Sequence, residues 1–298
     1  MNNLKKIGFV GTGIMGAAMA GHLMDAGFEV SVYNRTKAKA QSLIECGAKW
    51  CDTVSELAAG QDVIISIVGY PKDVEQIYLA ENGIVNSAKE GAYLVDMTTS
   101  SPLLAEKIFV AAKNKNLHAV DAPVTGGDVG AKNATLTILV GGEVEDFNAL
   151  KPVFEVIGKN IVYEGAAGAG QKTKIANQIA IAGTLAGVCE AFAYAKASGL
   201  DVEKVFSAIS TGAASSFQMS GVARQGLDGN FKPGFMLKHL GKDLAIGAET
   251  STAYGATLPV LSMVLHEVRK MEDAGFGAKA LKPCLNITAL FDFSLQDF

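Results

Sequence analysis

The stretch that most constrains this chain is Lys6-Ile-Gly-Phe-Val10, which runs directly into Gly11-Thr-Gly13-Ile-Met-Gly16. The apolar run reads as a strand. A helical spacing through Met19, Leu23 and Met24 follows, stops at Gly27, and gives way to a second strand, Glu29-Val-Ser-Val-Tyr33. In the order strand, GxGxxG, helix, strand, each glycine has its own task. Gly11 permits a tight turn, Gly13 lets the backbone approach a pyrophosphate, and Gly16 lets the helix pack closely on the sheet. The helix N-terminus adds unpaired N–H groups and the positive end of its dipole. The unit therefore predicts a dinucleotide site made by Gly11, Thr12, Gly13, Ile14, Met15 and Gly16. The competing reading is a structural turn in some other α/β sheet.

The residues after the second strand bear on which dinucleotide. An acidic side chain there would accept from a ribose 2′-hydroxyl and favour NAD. This chain has Asn34-Arg35-Thr36, and an arginine can pair with a 2′-phosphate. The reading favours NADP, with NAD possible; the alternative is a solvated arginine at a helix start.

The alternation continues through apolar runs at 62–68, 92–96, 118–121, 134–140 and 160–163, with a helical run at 144–157. This predicts an N-terminal Rossmann-type, doubly wound, mainly parallel sheet. Loops at carboxyl ends of such strands are where ligands sit. They include Gly69-Tyr70-Pro71, the hydroxyl-rich segment after Met97, and Thr125-Gly126-Gly127. Thr98, Thr99 and Ser100 either cap the next helix or touch a cofactor, and Ser101 before Pro102 reads as a cap. The Thr-Gly-Gly turn is either a small anion nest or a plain glycine turn.

From Gly168 the period changes to helical. Runs follow from Lys174 to Ser198, from Asp201, which reads as an N-cap, from Lys242-Asp-Leu244, and from Leu258 to Ala274. No strand signal follows residue 163. The expected domains are a dinucleotide-binding domain, 1–163, and an all-α substrate and dimerisation domain, 164–298, beginning with a long interdomain helix. Apolar helices of this kind often pack on a second subunit, so a homodimer or homotetramer is expected.

Composition removes several alternatives. With 298 residues and 49% hydrophobic content, two cores can be filled. A net charge of −4 gives no electrostatic reason for a nucleic-acid partner. Cys46, Cys51, Cys189 and Cys284 form no CxxC pair or zinc spacing and read as buried thiols in a reducing cytosol. No metal cluster is expected, and His22 and His266 read as core or surface residues. The N-terminus reads as lacking a signal peptide. The Ala-rich helix after Lys174 is interrupted by Asn177, Gln178, Thr184 and Glu190, so no membrane span is expected.

Four motifs stand in order: Gly11-Thr-Gly-Ile-Met-Gly16; Asp121-Ala-Pro-Val-Thr-Gly-Gly127; Gly168-Ala-Gly-Gln-Lys-Thr-Lys174-Ile-Ala-Asn177-Gln178; and Lys242-Asp-Leu244. Together they resemble the β-hydroxyacid dehydrogenase family, whose dinucleotide domain is like that of 6-phosphogluconate dehydrogenase. The family includes 3-hydroxyisobutyrate dehydrogenase and tartronate semialdehyde reductase. The resemblance spans nearly the whole chain, and the Lys-Ile-Ala-Asn-Gln run is most similar to the tartronate semialdehyde reductase branch. It implies that Thr125, Gly126 and Gly127 hold a substrate carboxylate, that Lys174 is catalytic, and that Asn177 or Gln178 orients the substrate. It also implies that Lys242 lies over the cofactor, with Val68, Gly69, Tyr70 and Thr99 contacting the dinucleotide.

The chemistry agrees. Charge builds on an aldehyde oxygen as hydride arrives, and a protonated lysine can stabilise that charge and deliver the proton. An unperturbed lysine, with a pKa of about 10.4, is a poor base near neutrality, so burial or a neighbouring cation is expected to lower it. Lys172 reads as a solvated surface charge. Departures from the family pattern lie at Thr125 for the usual Ser, at Gln178, at His239 where Leu is frequent, and at Gly277–Cys284, which lacks an acidic residue. The expected activity is hydride transfer between NADP(H) and a small carboxylated alcohol or aldehyde. Tartronate semialdehyde or 3-hydroxyisobutyrate comes first, and succinic or methylmalonate semialdehyde is the alternative. Lys174 argues against an imine reductase. A non-catalytic dinucleotide-binding sensor is the reading of another class; it would need neither the lysine nor the Thr-Gly-Gly turn.

Overall fold

The computed structural model describes residues 4–230 and 235–278. They form two compact units, divided between Lys174 and Ile175.

The first unit is built on one sheet. Its strands are β1 (Lys6–Val10), β2 (Glu29–Tyr33), β3 (Lys49–Trp50), β4 (Val63–Ser66), β5 (Tyr93–Asp96), β6 (His118–Asp121), β7 (Val124–Thr125), β8 (Leu136–Gly141) and β9 (Gly158–Gly165). The order is β3-β2-β1-β4-β5-β6-β8-β7, with β9 also paired to β8. Pairing is parallel from β3 through β6, and antiparallel where β8 meets β6 and β7. The chain leaves β1 in one direction for β2 and β3, then returns to β1's other side at β4. That reversal places the crevice at the carboxyl ends of β1 and β4, where α/β sheets take their ligands.

The strands are apolar on both faces because helices cover both. Ile7, Phe9, Val63, Ile65 and Val95 belong to one core cluster, whereas Val10, Ile64 and Leu94 belong to another. This division follows from the alternation of side chains along a strand. The helices of this unit are α1 (Ile14–Asp25), α2 (Gln41–Glu45), α3 (Val54–Ala58), α4 (Pro71–Leu79), α5 (Ile84–Ser87), α6 (Pro102–Lys113), α7 (Gly127–Lys132) and α8 (Val144–Ile157).

The helix α9 (Ala169–Ala197) opens in the first unit and continues into the second, with α10 (Val202–Ile209), α11 (Arg224–Leu227), α12 (Leu237–Ala253) and α13 (Pro259–Met271). Among the described residues no strand follows β9. By length and composition α9 alone among the described helices could cross a membrane. Its apolar positions Ala182, Leu185, Val188 and Phe192 are instead buried in the core of the second unit with Leu240, Leu244, Leu261 and Leu265. Asp201 caps α10, accepting from the amides of Glu203 and Lys204.

Several expectations need correction. Helix α12 begins at Leu237, ahead of Lys242, because Leu237 and Leu240 are buried in line with Leu244 and extend the stripe toward the N-terminus. Ser101 occupies the N-cap of α6, but its side chain makes no cap bond; Pro102 at the first helical position needs no acceptor for a missing N–H. Cys51 and Cys189 are buried, but Cys46 is exposed at the C-terminal end of α2. Cys284, and the altered segment beyond Ala278, lie outside the described residues.

Candidate active site

The glycine loop is shaped by close approaches. Gly11 has φ +97°, and a Cβ there would lie 2.2 Å from the Ile67 carbonyl oxygen. A Cβ on Gly16 would fall 2.0 Å from the Gly11 oxygen, so α1 can start this close to β1 only with glycine at that position. A Cβ on Gly13, the N-cap of α1, would meet nothing within 4 Å. The first turn of α1 contains no acidic residue. Thr12 is buried and its Oγ1 has no hydrogen-bond partner. An open glycine, an uncompensated helix N-terminus and an orphaned hydroxyl together suit a diphosphate.

The neighbouring loops are tied to this one. The Thr12 amide donates to Asn34 Oδ1 at 3.2 Å, and Asn34 Nδ2 donates to the Thr36 carbonyl at 2.9 Å. Asn34 thus holds the loop in place, while the Arg35 side chain beside it is 77% exposed. Arg35 Nη1 donates to Asp73 Oδ1 at 3.1 Å, and the other oxygen of Asp73 accepts from the Tyr70 amide at 3.1 Å. Asp73 therefore joins the loop after β2 to the loop after β4. The Val68 amide donates to Thr98 Oγ1 at 2.9 Å, so Thr98 braces that second loop; Thr99, next along, is half-buried.

The ends of β6 and β7 carry further polar residues. Thr125 ends β7, and Gly126 and Gly127 follow with φ +124° and +63°, leading into α7. His22 Nε2 lies 3.1 and 3.0 Å from the carbonyl oxygens of Ala131 and Lys132, and so caps the far end of α7. Asp121 ends β6. Its two oxygens accept from the amides of Gly168 and Gln171, each at 2.7 Å. Burial pushes its carboxyl up to about 6, against the pull of those two donors; Asp96 on the adjacent strand adds to the rise. The Gln171 side chain accepts from the Ser100 amide at 2.9 Å and donates to the Thr98 carbonyl at 2.7 Å. Lys174 follows within the next turn and is 7% exposed. Lys172 projects to the surface, where it pairs with Glu106 at 2.8 Å.

In the second unit, Gln178 is committed at both ends of its amide. Its Nε2 donates to Asp243 Oδ2 at 2.6 Å, and its Oε1 accepts from Asn177 Nδ2 at 2.9 Å. Lys242 Nζ stands 3.0 Å from Asp243 Oδ1, an ion pair by distance without hydrogen-bond alignment. His239, one turn before Asp243, is held below the usual imidazole range by burial and by Lys242 and Lys238. Among the described residues no three His, Cys, Asp or Glu side chains gather as metal ligands.

Four residues in these networks were not singled out from sequence: Asp73, Asp121, Gln171 and Asp243. Three of them sit inside the four motifs, which was the signal available. Asp73 had none, since its partner Arg35 is 38 positions away.

A doubly wound sheet, a glycine loop shaped for a diphosphate and a buried lysine on the helix whose start is bonded to the end of β6 are the features of a dinucleotide-dependent oxidoreductase. Residues 6–165 match the family model described as the NAD binding domain of 6-phosphogluconate dehydrogenase. Residues 168–285 match that described as NAD-binding of NADP-dependent 3-hydroxyisobutyrate dehydrogenase. The chain is 55% identical over 259 residues to an uncharacterized oxidoreductase, YkwC, of Bacillus subtilis, covering 87% of this chain and 90% of the relative. It is 35% identical over 254 residues to 2-hydroxy-3-oxopropionate reductase of Escherichia coli, covering 85% and 87%. The solved structure of 3-hydroxyisobutyrate dehydrogenase of Mycobacterium tuberculosis with L-serine superposes with a TM-score of 0.88 at 27% identity, covering 96% and 99%. The chain belongs to the β-hydroxyacid dehydrogenase family and is an NAD(P)-dependent oxidoreductase of the 3-hydroxyacid dehydrogenase type.

Proposed function

We propose that this protein is an NADPH-dependent reductase of small carboxylated aldehydes, with tartronate semialdehyde as its first candidate substrate. The observation that carries the reading is Lys174: a residue 7% exposed, on a helix whose first turn is bonded to the end of β6 and to the loop after β5. A bound nicotinamide supplies the hydride. Lys174 Nζ holds a proton, stabilises the charge that grows on the aldehyde oxygen, and gives the proton to that oxygen as the alcohol forms. In the reverse direction the neutral amine removes it. The Thr125 hydroxyl and the backbone at Gly126 and Gly127 take the substrate carboxylate. Asn177 orients the substrate, while Gln178, with both amide ends engaged, holds Asn177 and Asp243 in place. Gly11 to Gly16 would take the diphosphate of that cofactor, with Lys242, Val68, Gly69, Tyr70 and Thr99 as its further contacts.

The preference for NADPH rests on Arg35. Its side chain is 77% exposed and carries more N–H groups than the single bond to Asp73 uses. The choice of substrate rests on the likeness to 2-hydroxy-3-oxopropionate reductase, which names the same compound. We further propose a cytoplasmic homodimer or homotetramer, supported by Tyr194 and Phe217, which are 74% and 75% exposed on the described chain.

NADPH consumption would be followed with tartronate, methylmalonate and succinic semialdehydes, and NADP reduction with 3-hydroxyisobutyrate. Turnover fastest with tartronate semialdehyde supports the proposal, and absence of turnover with that compound overturns the substrate. Arg35→Asp should move preference toward NADH; an unchanged NADPH:NADH ratio would refute the role of Arg35.

A further inference from the structure

We propose that Asp121 is a positioning residue for turnover: it is the cap, supplied from another element, that fixes the first turn of α9 and with it Lys174. The inference rests on the catalytic assignment of Lys174 given above.

A helix leaves its first N–H groups without partners, and most helices satisfy them with a side chain close by in sequence. Helix α9 begins at Ala169, and the residue before it, Gly168, has no side chain to serve as a cap. The acceptor comes instead from β6, 47 and 50 positions earlier. One carboxylate oxygen of Asp121 takes the Gly168 amide, and the other takes the Gln171 amide. Two acceptors 2.7 Å from two donors fix both the height and the rotation of the turn.

The surrounding backbone is shaped to let this happen. A Cβ on Gly141 would lie 2.6 Å from Asp121 Oδ1, and one on Gly170 would lie 2.9 Å from Oδ2 and 2.3 Å from the Leu139 oxygen. Gly168 itself has φ +85°. Glycines at all three positions allow the helix start to close around the carboxylate. The glycines of the Gly168-Ala-Gly170 motif and the aspartate that opens Asp121-Ala-Pro-Val are therefore parts of one device. Gln171 completes it by holding the backbone at Thr98 and Ser100.

Only the ionised carboxylate offers two full acceptors. The charged group that acts on it from a neighbouring element is Asp96 on β5, which in turn faces Tyr78 on α4; Glu106 on α6 lies against Gly168 and pairs with Lys172 at the surface, and Lys174 follows along α9. A protonated or amidated side chain presents a donor to one of the two backbone N–H groups, and the turn must shift. A misplaced proton donor slows the chemical step without loosening the dinucleotide site on the glycine loop.

The test is Asp121→Asn in the full chain, assayed with NADPH and tartronate semialdehyde beside Lys174→Ala. We expect kcat to fall by about tenfold to a hundredfold, with the NADPH dissociation constant, read by fluorescence, unchanged. Hydrogen exchange supplies a readout that needs no substrate: the amides of Gly168 and Gln171 should exchange at least about tenfold faster than in the parent protein. Equal exchange at these amides, or a kcat equal to the parent's, overturns the proposal. If Asp121→Asn does not fold, Asp121→Ser carries the same exchange measurement. Full activity in Lys174→Ala would instead overturn the catalytic reading, a result the exchange data cannot mimic.

Discussion

Lys174 and Lys242 are two lysines held largely out of water. Lys174 is 7% exposed on α9; the Lys242 side chain is 9% exposed and stands 3.0 Å from the carboxylate of Asp243, itself 2% exposed. For Lys174→Ala we expect kcat to drop by about 10²- to 10⁴-fold, the range a lost general acid produces, with NADPH binding retained in a fluorescence titration. For Asp243→Ala we expect a stability loss of about 3–5 kcal/mol in urea unfolding, because Lys242 would lose a buried counter-charge and Gln178 would lose its acceptor. Lys174 could be found from sequence only through its motif, since a lysine near a helix start is ordinarily a surface charge. Asp243 was in view beside Lys242, but its burial depends on a glutamine 65 positions away. Local pattern does not carry such pairings. The Arg35–Asp73 contact was hidden for the same reason.

At the level of elements, the apolar runs told most of the story. Strand β4 is buried at all four positions and reads as an unbroken run; α8 occupies the expected residues 144–157. Strands β3 and β7, two residues each, are too short to show a period and exist because neighbouring strands pair with them. Helix α9 separates two uses of glycine. Gly170→Ala would drive a Cβ to 2.3 Å from a backbone oxygen, so we expect about 1–3 kcal/mol of destabilisation and a loss of turnover beyond any loss of folded protein. At Gly187, in the same helix, a Cβ would meet nothing within 4 Å, and Gly187→Ala should gain up to about 1 kcal/mol through helix propensity. Thermal and urea unfolding of the pair, alongside kcat, separate packing constraint from propensity.

For the whole molecule, we expect Asp121 to make stability and turnover respond to acid in opposite directions. Its carboxyl is raised from an ordinary 3.8 to about 6 in the folded protein. The folded state thus binds this proton more readily than the unfolded state. The resulting contribution is fully present below the ordinary value and is lost as pH rises through 6. Its size is at most about 3 kcal/mol. We therefore expect the stability of the parent relative to Asp121→Asn to increase as pH falls from 7 to 4 in urea titrations, while parental kcat for aldehyde reduction declines through 6. A difference in unfolding free energy that stays flat with pH would contradict the first expectation. The bonds from Asp121, Thr98 and Ser100 to the opening of α9 also govern how this chain can be recombined with its relatives. A hybrid joined at the sheet's end, after residue 163, would pair a native β6 with a foreign helix start. One joined after Lys174 would inherit the whole clasp from a single parent. Crossover libraries should therefore concentrate their active members at the later junction, which makes the opening turn of α9, not the sheet's last strand, the portable edge of the dinucleotide module.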